Sequence, residues 1–322
     1  MSTTFNETAT QIVTNSLSLL GVIAAGEAVT ANDYTLCLSF LNQMVKAWMA
    51  QGIHLWTEEV GTLYLVNGQA QYNLYATDAS GTNANCSDGT GTPVETSLSS
   101  NASSGATTIT PTTTVGMSSG DNIGIQLNNN TIQWTTINGT PTSTTVTLTN
   151  ALTSAASSSN QVYTYTTQCP RPLSIQSARL RNNAGFDRTI KVEPREVYNR
   201  IPQKALPGDP IILTYSPQLT YGIVYIWQTP NDVSKRIEFT YLAQITDFDN
   251  PTDTADFPQE WIECLVFNLA VRIAPSYGIN LSSGGYLGNP DILAQAKQYL
   301  DDLKAWDSEQ PYVSIVPPYR FQ

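Results

Sequence analysis

LNQMVKAWMAQGIHLW, residues 41–56, holds the only histidine of the chain, a lone lysine and two of its six tryptophans. Its apolar residues outrun a single helix face. Tyr34, Cys37, Leu38, Leu41, Met44, Val45 and Trp48 recur at helical spacing and define the face turned to a core. A helix on the surface of a small domain is polar on its other side. This one carries Leu36, Phe40 and Ala47 there. The stretch therefore reads as part of a helix with two apolar partners, running from a Thr30–Asp33 cap to a stop at Gly52.

Upstream, Thr4 and Glu7 have capping-box spacing ahead of the stripe Ile12, Val13, Leu17 and Leu20, and Gly21 predicts the end of that helix. Downstream, TLYLVNGQAQYNLY sets Asn67-Gly68 between two apolar runs, a strong hairpin signal. Residues 76–167 contain four acids and no Lys or Arg. To about Ser104 they are low in complexity and are expected to form a flexible or loop-rich lead-in. NIGIQL, TIQWTTI, TVTLT and QVYTYT then alternate, which predicts short antiparallel strands of an inserted β-barrel or sandwich. LSIQSARLR, IILTY, GIVYIWQT and RIEFTYLAQI read as strands that extend the hairpin into one sheet. Pro258 and Glu260 open the helix WIECLVFNLAVRIA, which is apolar nearly all round and ends at Pro275 and Gly278. Asn289-Pro290-Asp291 caps a last helix with Leu293, Ala296, Leu300 and Leu303 on one face. The expected fold is α+β. It has a helical core with a small antiparallel sheet (1–75 and 168–306), an inserted all-β barrel or sandwich domain (76–167) and an extended C-terminal arm (307–322).

The chain has 322 residues, a net charge of −11 and only 13% charged residues, against about 25% in an ordinary domain. This balance argues against general nucleic-acid affinity. Residues 171–204 depart from it, with eight bases against three acids, a net of +5 that leaves −16 for the remainder. Residues 247–263 hold six acids and no base. Complementary runs of this kind can set the register between copies of a chain. Arg179, Arg181, Arg188 and Arg195 are accordingly expected at an inter-subunit interface, with Leu36, Phe40, Trp48, Trp261 and Phe267 as its apolar part; an ordinary solvated strand face is the alternative for the bases.

Chemistry finds little support. His54 has no GxSxG-like nucleophile motif beside it and reads as a structural residue. Cys37, Cys86, Cys169 and Cys264 show no CxxC spacing, so neither a disulfide framework nor a zinc site is indicated. No GxGxxG or GxxxxGK[ST] loop is present. Glu58–Glu59 or the acids of 247–263 could supply paired carboxylates for glycoside hydrolysis, but a solvated acidic face is the more economical reading. No catalytic residue, cofactor or metal is expected. MSTTFNETAT lacks the features of a signal peptide, and no apolar run approaches the roughly 20 residues of a membrane span. A soluble chain made in the cytosol, without a membrane partner, is expected.

One resemblance spans about residues 10–75 and 210–300. Leu20, Gly21, Gly26, Glu27, Thr30, Asp33, Leu38, Leu41, Asn42, Met44, Trp48, Gly52 and Trp56, followed by Gly68, Gln69 and Tyr72, resemble the opening of the podovirus head-to-tail adaptor family, the tail accessory or packaged-DNA stabilisation proteins. Leu269, Ala270, Ala274, Pro275, Tyr277 and Gly278 resemble its second signature. Arg272 departs from that pattern, where an acid is common, and residues 76–167 interrupt the family core. The resemblance implies a structural virion protein at the head–tail junction. It would stand as a ring of twelve copies between the portal and the tail nozzle or fibre proteins. The ring would extend the DNA channel and retain the packaged genome without reading its sequence. The resemblance also implies a C-terminal arm docking on the portal, here through Tyr312, Val313, Ile315, Val316, Tyr319 and Phe321. In a ring each copy has two unlike neighbours, so the helix opened by Thr30 could bury one apolar face in its own core and the other against the next copy. The alternatives are a tail-associated carbohydrate-active or cell-wall-degrading enzyme with a sugar-binding β insert, and a receptor-binding tail protein.

Overall fold

The computed structural model describes residues 5–24, 26–51, 57–74, 85–89, 93–254, 257–281 and 291–306. The helices are α1 (Ala9–Leu19), α2 (Ala31–Ala50), α3 (Arg195–Asn199), α4 (Ile262–Ile273) and α5 (Ile292–Trp306). The strands begin with β1 (Glu58–Tyr64), β2 (Gln71–Leu74), β3 (Cys86–Ser87), β4 (Val94–Ser97), β5 (Thr108–Ile109), β6 (Asn122–Gln126) and β7 (Ile132–Thr136). They continue with β8 (Val146–Thr147), β9 (Gln161–Tyr165), β10 (Ser174–Arg181), β11 (Asp187–Val192), β12 (Ile212–Pro217), β13 (Gly222–Trp227) and β14 (Arg236–Leu242). The chain forms two compact units, residues 1–57 with 245–322 and residues 58–244. The α+β class is as expected, but the division expected at 75 and 168 moves to 57 and 244. Sheet and insert share one unit.

The helical unit starts later than its first cap suggests. α1 is capped by Thr8, whose side chain and that of Gln11 form the capping box, while Glu7 accepts from Asn15. Leu20 is the C-cap and Gly21 follows with φ +70°, so the predicted stop holds. α2 is capped by Thr30 through the Asp33 N–H and buries Cys37, Leu41, Met44, Val45, Trp48 and Met49. α4 lies against α1, α2 and α5. Three neighbours within one protomer explain why a helix can be apolar nearly all round, with only Glu263 and Arg272 exposed. Trp48, Phe257 and Trp261 join their rings at 5.9–6.5 Å between centroids. Burying side chains of this size contributes about 1.5–3 kcal/mol each.

The second unit is organised by an eight-stranded mixed sheet in the order β2-β13-β12-β11-β10-β14-β1-β3, far from the small antiparallel sheet expected. Its one parallel pair is β11 with β12. The Asn67-Gly68 turn exists, with Gly68 at φ +76°, but it does not make a hairpin. β1 pairs with β14 and β3, and β2 pairs with β13. In a flat sheet six strand spacings of about 4.8 Å would hold β1 and β2 roughly 29 Å apart. The six-residue link Leu65–Ala70 reaches at most about 24 Å fully extended, and it is bent by the bond from Gln69 N–H to the Val66 carbonyl. The sheet must therefore curl, and it forms a nearly closed barrel. Leu63, Leu65, Tyr72, Leu74, Leu213, Val224, Ile237 and Phe239 fill its interior.

The insert is a four-stranded antiparallel sheet, β4-β9-β6-β7, with the two-stranded β5-β8. β4 and β5 lie in and just beyond the stretch expected to be loop. Ile109, Ile123, Ile125, Val146, Leu148 and Val162 form its own core. Its opposite face carries Ile132, Trp134, Tyr163 and Tyr165 onto Tyr64 and Val233 of the barrel. Trp134 can lie flat there because Gly124, its cross-strand partner, has no side chain. A Cβ at that position would stand 2.8 Å from the indole.

The helical unit predicts one cost directly. Asn42 clamps Phe248, donating to its carbonyl and accepting from its N–H, both at 3.0 Å. Asn42→Ala leaves both backbone groups without that partner and is expected to lower stability by about 2 kcal/mol, read from urea denaturation followed by far-UV circular dichroism.

Candidate functional site

Alternation along β14 sends Ile237, Phe239 and Tyr241 into the barrel and Arg236 and Glu238 to its outer face. The register sets Arg179 opposite Glu238, Arg181 opposite Arg236 and Arg181 opposite Asp187. The buried Glu238 carboxylate accepts from Arg179 at 2.6 Å and from Arg181 at 2.7 Å. Arg181 is forked onto Asp187, both bonds at 2.7 Å. That fork, and then the neighbouring charges of Arg179 and Arg236, holds the Asp187 carboxyl below its ordinary range. Arg236 brings Nε within 2.8 Å of Glu95 on the insert, although Nε and Nη1 make no hydrogen bond. Burial raises the Glu95 pKa, and the Arg236 charge opposes that rise. Three guanidinium groups thus face three carboxylates, and the cluster is neutral.

This arrangement corrects the expected interface. Arg179 and Arg181 are spent on Glu238 and Asp187 within their own unit. Arg188 lies 3.5 Å from Asp209, which also holds Lys235 at 2.8 Å. Arg195 stacks over Tyr225 at 4.8 Å. Arg188 and Arg195 remain exposed. Trp48 and Trp261 are 2% and 0% exposed, so they are core and have no surface to offer a neighbour. Phe267 is half-buried with its ring edge-on to Tyr299 at 5.1 Å. Leu36 (40% exposed) and the half-buried Phe40, one turn apart on α2, do keep an open apolar strip. The arm residues 312–321 and His54 lie outside the described residues.

Three of the acids considered for a hydrolytic pair, Glu59, Asp247 and Asp253, have structural partners. Glu58 and Glu59 are strand neighbours and point to opposite sides, and Glu59 accepts from the Tyr241 hydroxyl at 2.5 Å. Asp247 pairs with Lys46 at 2.7 Å. Asp253 accepts from the backbone N–H groups of Asp249 and Asn250 and is held below its ordinary pKa by them. Among the described residues no group of three or more His, Cys, Asp or Glu side chains could hold a metal ion. No helix among them is long and apolar enough to cross a membrane. A cleft of about 190 Å³ between Leu180, Asn182, Phe186, Asp187, Arg188, Asp209 and Lys235 is smaller than the roughly 300–1,000 Å³ of ordinary ligand pockets.

The signature residues have specific work in the helical unit. The Tyr277 hydroxyl donates to Asp33 at 2.8 Å, and Thr30 donates to the same carboxylate at 2.6 Å. Glu27 accepts from the Ala24 N–H, and Gly278 ends its turn in the left-handed region at φ +69°. Two distant stretches of sequence meet at the Asp33 carboxylate and again at Asn42. No family model matches the chain, and no curated protein matches it.

Two outcomes follow from this charge geometry. Glu238→Ala leaves the buried Arg236, Arg179 and Arg181 each with one carboxylate neighbour fewer. It is expected to cost about 3 kcal/mol in chemical denaturation of the second unit, while Glu238→Gln costs less. Asp33, held below its ordinary value of 3.8 by Thr30 and Tyr277, sets an acid slope. The unfolded chain binds that proton more tightly, so this stabilisation is full above the ordinary value and is lost as pH falls through the lower folded value. Asp33→Asn is expected to flatten the fall of the thermal midpoint below about pH 4.

Proposed function

We propose that this protein is a structural component of a virion, a head-to-tail adaptor that forms a ring, of twelve copies, between portal and tail. The observation that carries the reading is the convergence of its two signature stretches. Thr30, Asp33 and Tyr277 close one junction, and Asn42 closes a second against the 245–254 segment. Residues of the two resembling stretches that contact each other in this chain, Asp33 and Tyr277, support the reading of one helical body. The open strip of Leu36 and Phe40 supports assembly, because a strip on a helix whose opposite face is already buried has work left for a neighbour. The engaged carboxylates support a role without catalysis. DNA would pass through the ring without sequence-specific contacts, and an acidic chain would not grip it. The 307–322 segment would dock on the portal, and the insert would face tail proteins.

The test is electron microscopy of the full chain mixed with its cognate portal protein. Twelve-fold rings seated on the portal are expected. Leu36→Asp is expected to abolish the rings while changing monomer stability by less than about 1 kcal/mol, since its side chain is already partly in water. A chain that remains monomeric beside the portal, with no added density, overturns the proposal.

A further inference from the structure

The chain enters the insert through β3 and leaves it through residues 167–169. These two short segments form its neck. Asp88 N–H donates to the Thr167 carbonyl at 3.2 Å, and Cys169 N–H donates to the Cys86 carbonyl at 3.0 Å. Ser87 stands opposite Gln168 in an antiparallel bridge. The register therefore places Cys86 directly across from Cys169. Cys86 and Cys169 share one of the two backbone bonds of a hydrogen-bonded antiparallel pair, whose ideal Cα separation of about 5.5 Å falls inside the roughly 4.4–6.8 Å range of disulfides. Their side chains share a face of the ladder. Cys86 also pairs with Leu63 of β1, and both cysteines lie in the barrel core with Leu63, 2% and 0% exposed. Burial first, and the adjoining Cys169 thiol second, raise the Cys86 pKa well above its ordinary value.

The other two cysteines show what a cysteine serving only as a small core residue looks like. Cys37 has the Tyr277 hydroxyl at 3.9 Å and Cys264 has Asn268 at 3.3 Å, and neither faces a second sulfur. β3 is two residues long and meets β1 at two positions.

We infer that Cys86 and Cys169 are a redox-modification site, a thiol pair that closes into a disulfide under oxidising conditions and clamps the neck of the insert. All four cysteines are free thiols in the structure, the reduced state of the pair. A small disulfide such as oxidised glutathione supplies the oxidant. One cysteine thiolate attacks it, gives a mixed disulfide and expels a glutathione thiolate, which takes up the proton lost by the cysteine. The second cysteine thiolate attacks the protein sulfur of that mixed disulfide, expels the second glutathione thiolate and leaves the Cys86–Cys169 bond. Two thiols are oxidised and one disulfide is reduced. Because both sulfurs are buried, closure accompanies folding or local opening of β3, and reduction needs the same opening.

The experiment refolds the full chain from denaturant through a glutathione redox buffer, so that burial does not limit access. Free thiols are then blocked with iodoacetamide and the protein is digested without reductant. A linked peptide pair containing Cys86 and Cys169 is expected, with Cys37 and Cys264 blocked. Closure encloses the whole insert in one loop, so the thermal midpoint of the oxidised chain is expected to exceed that of the reduced chain by roughly 10 °C. Cys86→Ser and Cys169→Ser are each expected to remove the link and the shift. If Cys86 and Cys169 both come out blocked from correctly refolded protein, or if the link joins other cysteines, the inference is wrong. The comparison of oxidised with reduced wild-type chain stands even if a serine variant folds poorly. The outcome does not depend on ring formation.

Discussion

Strand β1 has two hydrogen-bonding edges, and both are occupied. β14 takes one over its whole length, from Glu58 opposite Leu242 to Tyr64 opposite Arg236. β3 takes the other at Thr62 and Leu63. With both edges taken at Thr62 and Leu63, the strand that follows the Asn67-Gly68 turn does not pair back as a hairpin. It crosses to β13, and the short link then forces eight strands to curl. Curling gives β1 an inside, where Leu63 joins the barrel core, and an outside, where Tyr64 receives the aromatic face of the insert. Docking, closure and the attachment of the neck all descend from the pairing of one strand.

The charges obey the same geometry. A run of bases in a chain this poor in charge invites reading as a docking patch. On a strand, alternate residues belong to opposite faces. Leu180 therefore enters the core while Arg179 and Arg181 stand outside it, and the cross-strand position supplies Glu238. A carboxylate as buried as Glu238 is tolerable only with charged partners that also satisfy its lone pairs. The two arginines, set on the adjacent strand, meet that need. Arg236 extends the cluster to Glu95, so the contact between barrel and insert includes an ion pair beside a cluster of aromatic rings. Among the bases of 171–204, Arg179, Arg181 and Arg188 are counterions within their own unit.

What could be read from the sequence was whatever depends on neighbours in sequence. Helical period placed α1, α2, α4 and α5, the Gly21 stop, and the division of α2 into a buried face and one carrying Leu36 and Phe40. Alternation placed β6, β7, β9, β10, β12, β13 and β14. Pairing was not legible, because a strand's sequence states which face is apolar and leaves its partner open. Hence the hairpin at Asn67-Gly68 was expected and β1–β14 was not. β11 was hidden by Asp187, Arg188 and Lys191, whose charges sit on a solvated strand. β4 and β5 were hidden by Ser and Thr. The arginine–carboxylate cluster needed the register of three strands, and Glu238 carries no local sign of it. The cysteine pair is the same kind of case, since 82 residues separate two positions that face each other.

The apolar surplus that suggested assembly is smaller in the folded chain than in the sequence, and this sharpens what an assembly would have to use. α4 supplied half of that surplus, and α1, α2 and α5 absorb it. Trp48 and Trp261 go to the same core. What remains among the described residues of the helical unit is the α2 strip of Leu36 and Phe40, Phe5 at 60% exposure, and Leu293 at 44% and Trp306 at 62% on α5. Phe186, Leu219 and Val115 are exposed singly near strand turns, as large side chains often are on ordinary surfaces. A closed ring joins unlike patches, each copy giving one surface and receiving on another. A ring built through the helical unit would therefore set the α2 strip of one copy against a different surface of the next, and α5 is the helix with exposed apolar side chains left to give. A two-fold dimer would instead bury the α2 strip against itself, so the choice between ring and dimer lies in which helix Leu36 meets.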